Sequence, residues 1–235
     1  MARKATRSRA RRPAARSAAP SGTPRERAIA ALMALLAEQS FERVGLGDVA
    51  TRAGLSLAEL RGEFGSTLSI LAAHVKELDR KVLSEIDPDM AEESPRERLF
   101  DVLMRRLELL DDHKQAVRSL GRSARCNPGL ALALNAMAVR SQQWMLTAAG
   151  IGASGPKGMI RAQGLAVLFA GVLRTWADDN EEGQPRTLAA LDRALASGQR
   201  YSGLLDDLSR IPEDACRVRQ GMRRPRRNRE DRVAM

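Results

Sequence analysis

Apolar residues return every three or four positions along most of this chain, and that period leaves room for little besides helices. Leu68, Leu71, Val75, Leu78 and Val82 form one such row, enough for about five turns. Ile29, Leu32, Met33 and Leu36 form another after Arg25, and Leu99, Leu103, Leu107 and Leu110 a third. The third row is preceded by "SPRE" at 94–97, which combines a Ser N-cap, a Pro at the first helical position and a Glu that closes a capping box. Aromatics make up only 3% of the 235 residues, so Leu, Ala, Val and Met must build the core. Strands favour β-branched and aromatic residues, whereas Leu and Ala favour helices. The expected fold class is all-α.

Further helices are expected over Lys114–Arg125, stopped by "NPG" at 127–129, over 130–149, and from about Arg186 to Ser209, ended by Pro212. The stretches 150–158 ("GIGASGPKG") and 178–185 ("DDNEEGQP") are expected to be loops. The first ten residues of "GLAVLFAGVLRTW" (164–176) carry no charge, and a helix that is apolar all round is buried on more than one side. Gly164 and Gly171 would admit a second helix closely. The expected layout is a disordered basic tail at 1–24, a small helical domain at 25–69, a helical body at 70–210 and a basic tail at 211–235.

Charge follows the same division. Residues 1–24 carry six Arg, one Lys and no acid, and 211–235 carry eight Arg and four acids. With a total of +10 for the chain, the stretch between the tails is close to neutral. Basic tails attract nucleic acid or anionic lipid without reading sequence. Only five of the 39 basic residues are Lys, which together with the abundant Ala reads as the codon bias of a GC-rich genome. The N-terminal stretch shares the Arg- and Ser-rich, acid-poor character of organelle transit peptides; a disordered bacterial tail accounts for it equally and is the reading adopted. Cys126 and Cys216 fit no metal spacing and read as free thiols in a reducing cytoplasm. No apolar stretch reaches the ~20 residues of a spanning helix.

Chemistry of its own finds little footing. Neither His74 nor His113 has a ligand partner at metal spacing. "GPKG" lacks the frame of a phosphate-binding loop. Asp178, Asp179, Glu181 and Glu182 read as a solvated loop. No catalytic residue, cofactor or metal is expected, and the chain does not read as an enzyme.

The small domain carries the sharpest local signals. Gly54 marks a left-handed stop. Ser56 with Glu59 makes a capping box for a second short helix, Phe41 and Phe64 read as anchors, and Ser66 can cap the long helix behind it. The opening helix with Ile29 and Ala30, then Phe41, "DVA" (48–50), "AGLS" (53–56), Leu60, Phe64, Ser66 and "IL" (70–71), resembles the N-terminal domain of TetR-type transcriptional regulators. The resemblance implies a helix-turn-helix whose second helix enters the DNA major groove, with Arg52, Ser56, Leu57, Ala58, Arg61 and Thr67 as the DNA-binding residues. The sequence departs from that pattern: Arg61 and Thr67 stand where an aromatic and a Lys commonly touch phosphates. Glu63 replaces a frequent His, Ala58 a usual Gly, and Gly45 a capping Thr. Over residues 41–68 there are three basic side chains against four acidic ones, few for a module that must neutralise phosphates.

The large residues of the body, Met104, Leu107, Trp144, Met145, Phe169 and Trp176, pack a core or line a pocket for a hydrophobic small molecule or lipid. The two-sided helix at 160–176 fits a homodimer seam, sealed with the helix at 186–209. A second resemblance competes. Residues 98–117 and 173–195 are similar to a TetR-fold, lipid-binding family of ubiquinone biosynthesis. That family keeps the shape without reading DNA and can rest on a membrane surface.

Overall fold

The computed structural model describes residues 22–198, and among them every regular element is helical. These residues fall into two compact units. The first runs to His74, past the boundary expected at 69, and takes in Gln115–Ser123; the second holds Val75–Lys114 and the described residues from Ala124 to Gly198.

The first unit opens with α1, Pro24–Glu38. Thr23 caps it: the hydroxyl accepts from the Glu26 N–H, and the Glu26 carboxylate accepts from the Thr23 N–H. Seven of its 15 residues are buried, because α2 (Leu46–Ala53) and α3 (Leu57–Glu63) both pack on it. Helix α4 (Thr67–Ser84) begins here with buried Ile70 and Leu71, and Ser66 caps it by accepting from the Ser69 N–H. Phe41, the expected core anchor, is only half-buried in a one-turn 3-10 helix. Its backbone N–H donates to the hydroxyl of Ser123 on α6 (Lys114–Cys126), and Ser119 of the same helix donates to the Gln39 carbonyl at 2.9 Å. Polar ties to α6 therefore hold this corner in place of an aromatic plug.

The second unit contains the rest of α4 with α5 (Pro95–Leu110), α7 (Pro128–Ala148), α8 (Gly155–Asp178) and α9, which covers 185–198. Pairing of α7 with α8 is the most extensive, and α5 packs on α7. "SPRE" forms the expected box at the start of α5. "NPG" starts a helix as well as stopping one: Asn127 caps α7 by accepting from the Leu130 N–H, with Pro128 at the first position. The loop expected over 150–158 is half helix, since α8 starts at Gly155. Pro156 suits a first turn, where a missing N–H costs nothing. Gly158 lets the incoming chain lie against that turn; a Cβ there would stand 2.1 Å from the Ala153 carbonyl carbon.

The acidic loop before α9 is not simply solvated. Asp179 is fully buried, and its Oδ2 accepts from both the N–H and the hydroxyl of Thr187 at 2.9 Å. Gln184, immediately before the helix, is left-handed (φ 48°), so a distant carboxylate supplies the cap. The part of the expected last helix beyond 198, the two tails up to residue 21 and after 198, and Cys216 lie outside the described residues. Cys126 is exposed as a free thiol. Among the described residues no helix is long and apolar enough to cross a membrane, and no cluster of His, Cys, Asp and Glu is placed to hold a metal.

Candidate functional site

The sequence from Gly45 to Phe64 folds as two short helices joined by a turn that is fixed at each step. Asp48 closes half a capping box by accepting from the Gly45 N–H at 2.9 Å. At the far end of α2, Gly54 is left-handed (φ 63°) and the Leu55 N–H returns to the Ala50 carbonyl, the Schellman pattern. Arg27 of α1 donates from Nη1 to the carbonyls of Ala53 and Gly54 at 3.2 and 3.3 Å, bracing the turn from the core side. Ser56 then caps α3. Its hydroxyl accepts from the Glu59 N–H, while the Glu59 carboxylate accepts from the Ser56 N–H and hydroxyl at 2.8 and 2.7 Å.

With ~100° of rotation per residue, α3 sorts its side chains cleanly. Leu60 faces the core at 2% exposure, and Phe64 beyond it is buried under the Arg25 guanidinium, 5.1 Å from the ring centre. Ala58 and Gly62 point away from the core. Leu57 and Arg61 lie on one flank, Glu59 and Glu63 on the other. All six are exposed, Leu57 to 63%. The structure thus brings Leu57, Ala58 and Arg61 together on one outward surface. Ser56 is next to them, but its hydroxyl is occupied by the cap. Thr67 is half-buried at the first position of α4. Arg52 is held by Glu38 of α1 through two hydrogen bonds, at 2.9 and 2.7 Å.

The charge count over 41–68 has a different meaning once these partners are known. The Glu59 carboxyl lies below its usual range because the Ser56 backbone and hydroxyl donate to it, with Arg27 adding a smaller attraction. Its charge is turned back into the helix cap. Glu42 accepts from Ser123, and Asp48 from Gly45. Among the described residues, Glu63 is the one of the four acids without such a tie. Arg61 makes no ion pair among the described residues, and its Nη1 lies over Gly65.

In the second unit, Leu107, Met145 and Trp176 are fully buried, Phe169 nearly so, and Met104 half-buried. Trp144 departs from the expected core set: it is 56% exposed and, with Gln143, Thr147, Ser154 and Met159, lines an open groove of about 480 Å³. The same helix buries polar residues that the apolar pattern did not reveal. Ser141 and Gln142 are each 1% exposed. The Ser141 hydroxyl donates to Asp79 Oδ1 at 2.8 Å, and Asp79 in turn pairs with Arg106 of α5. The Arg106 guanidinium sits 5.9 Å from the Phe169 ring centre, so α4, α5, α7 and α8 meet at one buried ion pair. Gln142 Oε1 and the Trp176 indole N–H are buried with no hydrogen-bond partner among the described residues. The Lys114 ammonium lies over the Trp176 ring, 5.2 Å from its centre, and donates to the Asp179 carbonyl.

No protein-family model matches the sequence, and no curated protein does. Solved structures do match its fold. A TetR transcriptional regulator from Nitrosomonas europaea superposes with a TM-score of 0.59 at 22% identity, over 76% of this chain and 99% of that one. A TetR-family regulator from Syntrophomonas wolfei gives 0.54 at 12% identity, over 76% and 94%. One from Rhodococcus sp. RHA1 gives 0.51 at 24% identity, over 74% and 95%. The resemblance first carried by "DVA", "AGLS" and Phe64 therefore extends to the architecture: the chain has the all-α fold of TetR-type transcriptional regulators.

Proposed function

We propose that the chain is a DNA-binding transcriptional regulator, acts as a homodimer and responds to a hydrophobic small molecule. One observation carries the DNA reading: a capped and braced turn presents Leu57, Ala58 and Arg61 outward on α3 while both acids of the turn region, Asp48 and Glu59, are tied into caps. A helix so placed meets base edges with its first residues. Thr67 is proposed at a phosphate.

The dimer reading is supported by α8. One face carries buried Leu165, Phe169 and Trp176, while Ile160, Val167 and both Gly164 and Gly171 lie exposed on another. Among the described residues, nothing beyond its chain neighbours and its own helix backbone comes within 4 Å of a Cβ placed at either glycine, which leaves each open to close approach by a second copy. The ligand reading is supported by the soft and aromatic side chains Met104, Met145 and Phe169 of the same unit and by the buried polar atoms of Gln142 and Trp176 that lack a partner among the described residues. The lipid-accessory reading gains no support from the neighbours above, which were solved as transcriptional regulators.

Selection of bound sequences from a random duplex library, followed by salt titration on selected and scrambled DNA, tests the proposal. Arg61→Ala should weaken selected DNA by about 1–3 kcal/mol. Removal of residues 1–21, which spares the Thr23 cap, should weaken all sequences alike and flatten the salt dependence. If tail removal abolishes all binding and Arg61→Ala changes nothing, α3 does not read DNA.

A further inference from the structure

Leu57 is a large apolar side chain that the fold does not use. The positions paired by a hydrophobic staple around α3, Leu55 before the cap and Leu60 in the helix, are both buried, at 8% and 2% exposure. Leu57 stands instead at the first helical position with 63% of its surface open to solvent. Beside it the outward positions are Ala58 and Gly62, which offer neither charge nor hydrogen bonds. The nearest acid, Glu59, is folded back onto Ser56. What α3 offers a groove is therefore mainly a methyl-rich surface with one cation, Arg61, on the same flank as Leu57.

In the major groove the apolar feature that distinguishes bases is the thymine 5-methyl group. A short helix docks its N-terminal residues against base edges, and Leu57 and Ala58 are the first two residues of α3. We infer that Leu57, with Ala58 beside it, reads a thymine methyl group and is a specificity-determining residue of this chain. The inference rests on the DNA-binding reading. It also accounts for selectivity in a module with few cations, because burying a methyl needs no charge and is little affected by salt.

The experiment uses the full chain and its selected DNA. Each thymine is replaced in turn by deoxyuridine, which removes the methyl and leaves pairing intact. One position, or two adjacent ones, should lose about three- to fivefold in affinity, the worth of one buried methyl-sized group. Leu57→Ala should weaken the thymine duplex by a comparable factor and make that position indifferent to the replacement. Because Leu57 is exposed, the variant should keep its helical circular dichroism. 5-Methylcytosine at a neighbouring position gives a second probe, since it adds a methyl at the same groove edge. If no deoxyuridine position matters, or if the loss is equal in wild type and Leu57→Ala, the inference is overturned while selective binding keeps the DNA reading. If no DNA is selected at all, the reading falls and takes the inference with it.

Discussion

Arg52 and Glu38 face each other across α2 and α1 in a two-point pair, so an arginine expected among the DNA-binding residues is already engaged. The pair holds the Glu38 carboxyl below its usual range and the Arg52 guanidinium above its own, in each case chiefly through the side-chain hydrogen bond. Glu38→Gln should release Arg52 toward DNA. Binding to scrambled duplex should tighten at low salt, and the slope of log affinity against log salt should steepen by up to about one unit. An unchanged slope would mean that Arg52 does not reach a phosphate even when free.

The buried pair of Asp79 and Arg106 should show a strong asymmetry between single and double changes. At 7% and 6% exposure, removing one partner leaves a buried charge uncompensated. Asp79→Ala should then destabilise by about 3–5 kcal/mol in urea titrations, whereas Asp79→Leu combined with Arg106→Met should recover most of the loss. Two equally damaged proteins would show that packing rather than charge governs the site.

The two tryptophans should separate in fluorescence. Trp144 is more than half exposed and Trp176 fully buried. Trp144→Phe should leave a blue-shifted emission that iodide quenches poorly; Trp176→Phe should leave a red-shifted one that iodide quenches readily. The reverse assignment would contradict the placement of α7.

Glycine positions in α8 should differ sharply. Gly158→Ala forces a Cβ into the Ala153 backbone, so the 151–154 loop must move and the melting temperature should fall. Gly171→Ala meets nothing within 4 Å among the described residues and should leave the protomer's fold intact. Gly171→Glu, which places a charge on this exposed face of α8, should yield monomers in light scattering. A wild type that is monomeric at micromolar concentration would remove the dimer.

Acid should loosen the helix starts before the core. Glu59 and Glu97 both titrate below their usual range because Ser56 and Ser94 donate to them. Asp179 is also lowered: burial alone would raise it, but the Thr187 N–H and hydroxyl, with Arg186, outweigh that. A carboxyl depressed by folding stabilises above its unfolded pKa of roughly 4, and that stabilisation is lost as pH falls through the lower folded value. Amide protection at Glu59 and Thr187, relative to the intrinsic exchange rate at each pH, should therefore fall below about pH 4, and Ser56→Ala should remove the pH dependence at α3 alone. An equal loss of protection throughout the chain would point to global unfolding instead.

Signals that depend on a few adjacent residues were legible in the sequence. The boxes at Ser56 and Ser94, the left-handed Gly54 and the α4 row arise from local chemistry and stand as expected. Features that depended on distant partners were not legible. Trp144 reads as core, yet it is exposed, while α7 buries Ser141, whose hydroxyl bonds Asp79, 62 residues earlier. Asp179 reads as solvated until Thr187 closes on it, and Arg52 reads as free until Glu38 does. In each case a polar side chain was satisfied by a residue that periodicity cannot pair with it.

The return of Glu59 onto Ser56 divides α3 into two sets of positions. Ser56, Glu59, Leu60 and Phe64 are committed to making the helix and seating it. Leu57, Ala58, Arg61, Gly62 and Glu63 are free of that duty, and their exchange leaves cap and core untouched. The helix is thus a socket whose outward residues can be exchanged as a cassette. If α3 reads DNA as proposed, grafting those five residues onto another protein of this fold should carry the preference for DNA sequence with them.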